Sequence, residues 1–156
     1  MFFSNYIQQY ANTLKGGLYG LILGDAVGRS FEFKSRDEIP PFDDIDIIPP
    51  KNYKATYPNV PVGTWTDDSS QALALLDSLI QTKDDLSLID FSTKLIQWLH
   101  EGKYTPDGVV FDCGIQTRNA LNKIANGIEV ENAAQRDIYA NGNGALMRVL
   151  PLVLWH

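Results

Sequence analysis

Apolar residues recur at three- and four-residue intervals along most of the chain, which is the spacing of one buried face of an α-helix. The pattern is clearest at Ala72, Leu75, Leu76, Leu79 and Ile80. It predicts a helix whose cap and first turn hold residues 66–69. Residues 6–14 and 16–28 are predicted to form one helix or two joined helices, and further helices are predicted at 86–100, 115–125, near 130–136 and at 145–154. Because strand-like alternation is nearly absent, the expected fold class is all-α.

Residues 34–63 differ in character from the rest of the chain. They hold six of the eight prolines and the acidic cluster Asp43, Asp44 and Asp46. A long ordered loop is expected there, and such loops commonly serve as lids or binding elements. With 156 residues, 44% of them apolar, the chain has the size and composition of one domain with a sizeable core. We therefore predict a single domain over 1–156.

Charge and patterning exclude several classes of protein. The net charge of -6 and the lack of a basic run argue against a nucleic-acid partner. The start lacks the features of a secretory signal, and the apolar stretch 18–27 is too short to span a bilayer. We expect a soluble, cytoplasmic protein without a membrane partner. The single cysteine, Cys113, excludes an intrachain disulfide, and a buried apolar role competes there with a catalytic thiol.

The run Thr66-Asp67-Asp68-Ser69 has two interpretations. Hydroxyl and carboxylate oxygens at a helix start can accept hydrogen bonds from free backbone N–H groups and complement the helix dipole. Two adjacent carboxylates and a hydroxyl are also ligands suited to Mg²⁺, Mn²⁺ or Ca²⁺. So short a run cannot complete a metal shell, and a metal site would need further oxygens from elsewhere.

Other polar residues stand where chemistry is plausible. Glu32 is flanked by two phenylalanines, and a metal or catalytic role for it requires Asp67 and Asp68 to be close. Asp112 is placed either to cap the helix at 115–125 or to line a cleft. The turn Asn141-Gly142-Asn143-Gly144 could hold an anion or simply begin a helix. Arg148 could pair with a phosphate or with a buried acid.

Four motifs occur along the chain in a fixed order. They are Gly20-Leu-Ile-Leu-Gly-Asp-Ala-Val-Gly28 with Glu32 beyond it, Thr66-Asp-Asp-Ser69 before Ala72-Leu-Ala-Leu75, Phe111-Asp-Cys-Gly114 with Thr117-Arg-Asn-Ala-Leu121, and Gly142-Asn-Gly-Ala-Leu-Met-Arg148 with Pro151. In this combination the chain resembles the ADP-ribosylglycohydrolase family. The resemblance spans nearly the whole chain.

The resemblance implies an all-helical fold with a two-metal centre, holding Mg²⁺ or Mn²⁺, that hydrolyses the bond between ADP-ribose and a protein side chain. Metal ligands would be Thr66, Asp67 and Asp68, with Glu32 beside the metals as a catalytic residue that engages ribose or water. Asp112 would be the catalytic residue on the substrate side. The diphosphate would be held by Tyr139, Ala140, Asn141, Gly142 and Asn143. The implied partner is ADP-ribose or an ADP-ribosylated protein.

One family motif has no match here. The second acidic motif, Gly-Gly-Asp-x-Asp-Thr, completes the metal shell in the family, whereas Asp44-Ile-Asp46 lacks the glycines and lies too early in the chain. We therefore expect the chain to correspond to the N-terminal half of the fold, to show little or no hydrolase activity alone, and to self-associate through exposed apolar helix faces. The alternative is a non-catalytic binding or structural module of the same fold.

Overall fold

The computed structural model describes residues 2–83 and 86–155, with side chains from residue 8 onward. Over this part of the chain it contains helices and no strand, so the all-α prediction is confirmed. The helices are α1 (Phe2–Gly28), α2 (Asp67–Thr82), α3 (Leu88–Glu101), α4 (Ile115–Ala125), α5 (Val130–Ala133), α6 (Gly144–Met147) and α7 (Leu150–Trp155). None of the described helices combines the length and apolar character needed to cross a bilayer.

The chain divides into two compact units, Met1–Trp65 and Thr66–His156. In the first, α1 runs into a buried 3-10 helix, Arg29–Phe31. The Arg29 guanidinium donates to the carbonyl oxygens of Tyr57 at 3.2 Å and Val60 at 3.3 Å. These bonds hold the later part of the proline-rich segment against the end of α1. Apart from two further 3-10 helices, Arg36–Glu38 and Phe42–Asp44, residues 34–63 form no regular element.

In the second unit, α3 packs against α2 and α4, and α7 packs against α2. The core side chains are Ala74, Leu95, Trp98 and Leu121. Ala72, Leu75 and Leu79 are buried, as the periodicity predicts for α2, whereas Ile80 of the same predicted face is 56% exposed and the core residue Ala74 lies outside that face. Burying one large apolar side chain contributes about 1.5–3 kcal/mol, so this cluster fixes the relative placement of the three helices. The prediction of a single domain over 1–156 stays a prediction.

Polar caps set where α2 and α3 begin. Thr66 is the N-cap of α2, as predicted. The Ser87 hydroxyl caps α3 by accepting from the Asp90 N–H at 3.2 Å, so α3 begins two residues later than the predicted 86. Gly102 ends α3 in the left-handed conformation, at φ 69°, with its N–H bonded to the Trp98 carbonyl at 3.0 Å. This is the usual role of glycine just after a helix.

Two predicted helices are wrong in extent. The helix expected near 130–136 ends at Ala133 because Ala134 has an extended conformation. The helix expected over 145–154 is divided into α6 and α7, with Arg148 as the C-cap of α6. Pro151 supplies the reason, since it has no N–H to donate to the Met147 carbonyl and its ring would crowd that carbonyl. As the second residue of α7, the same proline is tolerated, because first-turn N–H groups have no intrahelical partner.

Candidate functional site

The residues at the start of α2 are mostly buried. Thr66 is 6% exposed and Asp67 is 7% exposed, while Asp68 is half-buried. The Thr66 hydroxyl oxygen lies 3.4 Å from both the Asp68 N–H nitrogen and the Asp68 Oδ2. The first of these contacts is the helix cap. The second brings a hydroxyl and a carboxylate oxygen together on one side of the first turn.

This donor set fits a hard divalent cation in part. Two oxygens that bind Mg²⁺ at right angles, each about 2.1 Å from the ion, are about 3 Å apart. The 3.4 Å separation of Thr66 Oγ1 and Asp68 Oδ2 is close to that value. Among the described residues, however, no three His, Cys, Asp or Glu side chains form a group able to hold a metal ion. The start of α2 therefore offers part of a shell, and the capping and metal interpretations are both compatible with its geometry.

Asp67 is also in contact with a buried polar chain. Gln71, one turn further along α2 and fully buried, donates from Nε2 to Asp67 Oδ2 at 3.2 Å. Arg148 donates from Nη1 to Gln71 Oε1 at 2.7 Å. Burial lowers the pKa of the Arg148 guanidinium, and the Asp67 carboxylate opposes that change. Of the two roles that the sequence left open for Arg148, the structure supports a link to a buried acid.

Asp112 precedes α4 and is half-buried. The N-cap position of α4 is Gly114, so the interpretation of Asp112 as the N-cap residue is wrong. Its neighbour Cys113 lies close enough to Asp67 and Asp112 for their charges to affect the pKa of its thiol. Burial raises the pKa of the Cys113 thiol to about 11; Arg118 opposes the rise, and the carboxylates of Asp67 and Asp112 add to it. Asp67 and Asp112 therefore both act on this thiol.

The turn predicted to bind the diphosphate is largely exposed, and the N–H groups of residues 139–142 are bonded to Asp137, to Tyr139 and to α4. The N–H of Tyr139 donates to Asp137 Oδ1 at 2.8 Å, and the N–H of Ala140 to the Asp137 carbonyl at 3.0 Å. The N–H of Asn141 donates to the Tyr139 carbonyl at 2.9 Å. Gly142 donates to Gln116 Oε1, on α4, at 3.1 Å. An anion bound by these amides would have to replace those acceptors.

Glu32 lies in the first unit, directly after the Arg29–Phe31 helix, and is half-buried. Its carbonyl oxygen accepts a hydrogen bond from the Thr56 hydroxyl. This bond fixes the backbone at Glu32 to the proline-rich segment. The catalytic and metal-proximal role expected of its side chain stays a prediction.

The family model for ADP-ribosylglycohydrolase matches residues 7–156 of this sequence. The chain belongs to the ADP-ribosylglycohydrolase family. The match contains all four motifs named above, and it includes the start of α2, the segment before α4 and the turn before α6. The resemblance found in the sequence is thus confirmed at the level of the family.

Three relatives of this ADP-ribosylglycohydrolase family chain are informative. ADP-ribosylarginine hydrolase Tri1 of Pseudomonas putida (strain GB-1) is 33% identical over 150 residues, which are 95% of this chain and 37% of the relative. The protein of the same name from Serratia proteamaculans (strain 568) is 38% identical over 110 residues, 70% of this chain and 27% of the relative. Uncharacterized protein YegU of Escherichia coli (strain K12) is 32% identical over 141 residues, which are 88% of this chain and 40% of the relative. The chain therefore spans 27–40% of the length of these relatives.

Gln71 is a site residue that was not predicted from the sequence. A polar residue four positions after Asp67, on the apolar face of α2, is the signal that could have identified it, because residues four apart are neighbours on a helix. Its second partner, Arg148, is 77 residues away along the chain. Nothing local in the sequence indicates that contact.

Proposed function

We propose that this chain supplies the Thr66–Asp68 ligands of a divalent metal site in a hydrolase that removes ADP-ribose from arginine side chains of modified proteins. The reaction class follows the names of two relatives, which are ADP-ribosylarginine hydrolases. The observation that carries the proposal is the partly buried group of hydroxyl and carboxylate oxygens at the start of α2. Hard oxygen ligands of this type favour Mg²⁺ or Mn²⁺.

The proposed reaction adds water across the bond between the ribose anomeric carbon and the arginine nitrogen. The water oxygen becomes bonded to the anomeric carbon, and the nitrogen leaves with a proton. A bound Mg²⁺ or Mn²⁺ pair would lower the pKa of the attacking water and hold the ribose hydroxyls. Asp67 and Asp68 would hold the metals together with Thr66, and Asp112 would face the substrate.

Glu32 is proposed to orient the water or the ribose, and residues 139–143 to bind the diphosphate. Binding through that turn would exchange the Gln116 and Asp137 acceptors for phosphate oxygens. An anion bound to N–H groups of the backbone needs no basic side chain. This suits a chain whose net charge is -6.

A non-catalytic module is the second candidate. The observation in its favour is that the first turn of α2 is already internally bonded, with Thr66 capping the Asp68 N–H and Gln71 bonded to Asp67. Such a turn can be stable as a cap without any ligand. If the chain forms a metal site, it should bind Mn²⁺ and ADP-ribose, and each ligand should strengthen binding of the other. A non-catalytic module should bind neither.

The test is a Mn²⁺ titration of the 156-residue chain, followed by electron paramagnetic resonance, with and without ADP-ribose. We expect binding that Asp67→Asn weakens by more than about tenfold, since even the outer partners of ligands affect affinity by that much. Asp43→Asn is the matched control, because Asp43 and Asp44 are also adjacent acids in the first turn of a helix but are exposed.

Equal Mn²⁺ affinity of Asp67→Asn and wild type would contradict the metal site. Absence of both Mn²⁺ and ADP-ribose binding would favour the module. ADP-ribose release from an arginine-modified protein is a separate measurement. We expect little or no release by this chain alone, because the described residues supply only part of a metal shell.

A further inference from the structure

The chain of contacts from Arg148 through Gln71 to Asp67 joins two segments of the second unit, α2 and the end of α6. Asp67 and Gln71 lie one turn apart on α2, and Arg148 ends α6. The two hydrogen bonds, 3.2 Å and 2.7 Å long, use both ends of the Gln71 amide. Arg148 also lies over the ring of Phe91 on α3, at 5.6 Å from the ring centroid. The guanidinium is therefore held from two sides.

Burial makes the orientation of Gln71 definite. Its side chain is fully buried, and a buried amide without hydrogen bonds costs on the order of 1–3 kcal/mol. An arginine side chain has donors only, so the amide atom that faces Arg148 has to be the carbonyl oxygen. The NH₂ group consequently faces Asp67. A donor is thereby fixed on one oxygen of the Asp67 carboxylate.

We propose that Gln71 and Arg148 are positioning residues that hold the Asp67 carboxylate in one rotamer for metal binding. This inference rests on the proposed function, because it assigns Asp67 as a ligand. Partners of metal ligands commonly fix the direction in which the ligand atoms point. Here Gln71 engages Oδ2, and Arg148 fixes Gln71.

The contacts also have a structural role, since they join α2 to the end of α6. A suitable test separates this structural role from the positioning of Asp67. Gln71→Met keeps the length of the side chain and removes both hydrogen bonds. Its matched control is Gln81→Met, because Gln81 makes the same bond one turn back on the same helix, from Nε2 to Asp77 Oδ1 at 2.9 Å, but is exposed.

The first readout needs no metal. Three-bond scalar couplings measured by NMR report the χ1 rotamer of Asp67. We expect a single rotamer in the wild type and in Gln81→Met, and averaging over rotamers in Gln71→Met. An unchanged single rotamer in Gln71→Met would overturn the positioning role, whatever the outcome of the metal titration.

The second readout is the Mn²⁺ dissociation constant, measured together with the thermal midpoint. Gln71→Met should weaken Mn²⁺ binding by about 10–100-fold, and Gln81→Met should leave it unchanged. Arg148→Met should have an effect similar to that of Gln71→Met, and the double variant should be no weaker than either alone, because the two residues act as a unit. If Arg148→Met does not fold, Arg148→Lys replaces it and should retain part of the affinity.

Two kinds of failure are distinguishable. A wild-type chain that binds no Mn²⁺ contradicts the proposed function, and the rotamer couplings still decide whether Gln71 orients Asp67. A wild-type chain that binds Mn²⁺ with the same affinity as Gln71→Met contradicts the positioning inference alone. A lower thermal midpoint with unchanged affinity and rotamer would likewise assign these residues a structural role only.

Discussion

Cys113 lies at the edge of the core, next to the catalytic candidate Asp112. Its thiol is packed against the buried cluster that contains Trp98 and Leu121. Burial raises its pKa to about 11, whereas a nucleophilic cysteine needs a lowered pKa. Of the two roles left open by the sequence, the structure therefore supports the apolar one.

The raised pKa predicts slow alkylation of Cys113. With a thiol pKa near 11 rather than 9.0, the thiolate fraction at pH 8 falls by about a hundredfold, and only the thiolate reacts. Iodoacetamide labelling at pH 8 should be slower by about that factor in the folded chain than in the chain unfolded in urea. Equal rates in the two states would show that the thiol is neither buried nor shifted.

How far single residues could be predicted depended on how local their contacts are. Thr66 was correctly placed as a cap because the cap lies next to the helix it begins. Asp112 could not be assigned, since a shift of two residues makes Gly114 the cap instead. The partner of Gln71 could not be predicted from its neighbours, because Arg148 comes from a distant segment.

At the scale of helices, one polar network joins α2, α3 and the loop that follows α3. Tyr104 donates to Asp77 Oδ2 at 2.5 Å, and the buried Lys94 Nζ lies 3.0 Å from the same oxygen. The tyrosine bond, more than the lysine, lowers the pKa of Asp77, against the effect of its burial. Burial and the same bond raise the pKa of Tyr104.

Tyr104→Phe should destabilise the fold by about 1–2 kcal/mol at pH 7, because a hydrogen bond to a partly exposed carboxylate is lost. The pKa of folded Asp77 is lowered, so this contribution is present above the unfolded value of 3.8 and is lost as the pH falls through the folded value. The pKa of folded Tyr104 is raised, so the contribution is also lost as the pH rises from 10.0 through the folded value.

Urea unfolding of the wild type and of Tyr104→Phe from pH 3 to pH 11 measures the difference in their free energies of unfolding. The control is Tyr53→Phe, since the buried Tyr53 hydroxyl has no hydrogen-bond partner among the described residues. It should be neutral or slightly stabilising at every pH. A difference between Tyr104→Phe and wild type that stays constant below pH 3.8 would contradict the assigned network.

The extent of each helix could be predicted where a cap residue or glycine marks its end, as at Thr66 and Gly102. The division between α6 and α7 was not predicted, although Pro151 is plain in the sequence. Apolar residues continue with helical spacing on both sides of the proline. The periodicity therefore indicated one helix where the backbone forms two.

At the scale of the whole chain, several large apolar side chains face solvent. In the second unit these include Leu146 on α6, which is 74% exposed, and Val153 on α7, which is 64% exposed. Exposed apolar area of this kind favours association. The sequence predicts self-association through exposed apolar helix faces, and that expectation stays a prediction.

Leu146→Lys combined with Val153→Lys should reduce self-association of the chain, measured as the concentration dependence of sedimentation velocity. The control pair is Ile89→Lys with Ile115→Lys, which adds the same charge at two other exposed apolar residues. An equal effect of both pairs would mean that net charge, and not the apolar side chains of Leu146 and Val153, governs association. A monomeric wild type at all concentrations would contradict the prediction outright.

The fold class could be predicted from hydrophobic spacing alone, because helices leave a periodic pattern in the sequence. The candidate site could not, because a capping threonine followed by two aspartates has the same pattern with or without a metal. Family resemblance made the metal interpretation the stronger one. The acceptors that engage the N–H groups of residues 139–142 lie on Asp137, Tyr139 and Gln116, and the Asn-Gly-Asn-Gly motif does not indicate them.

The interruption at Pro151 has a consequence for residues far from it in the chain. Both α6 and α7 contact α2, and Arg148 follows α6. One continuous helix in place of α6 and α7 would change the angle between these two contacts, so α7 would not keep its place on α2 while Arg148 kept its bond to Gln71. A side chain without a polar atom thus belongs among the residues on which the carboxylate of Asp67 depends, and a survey restricted to polar residues would omit it.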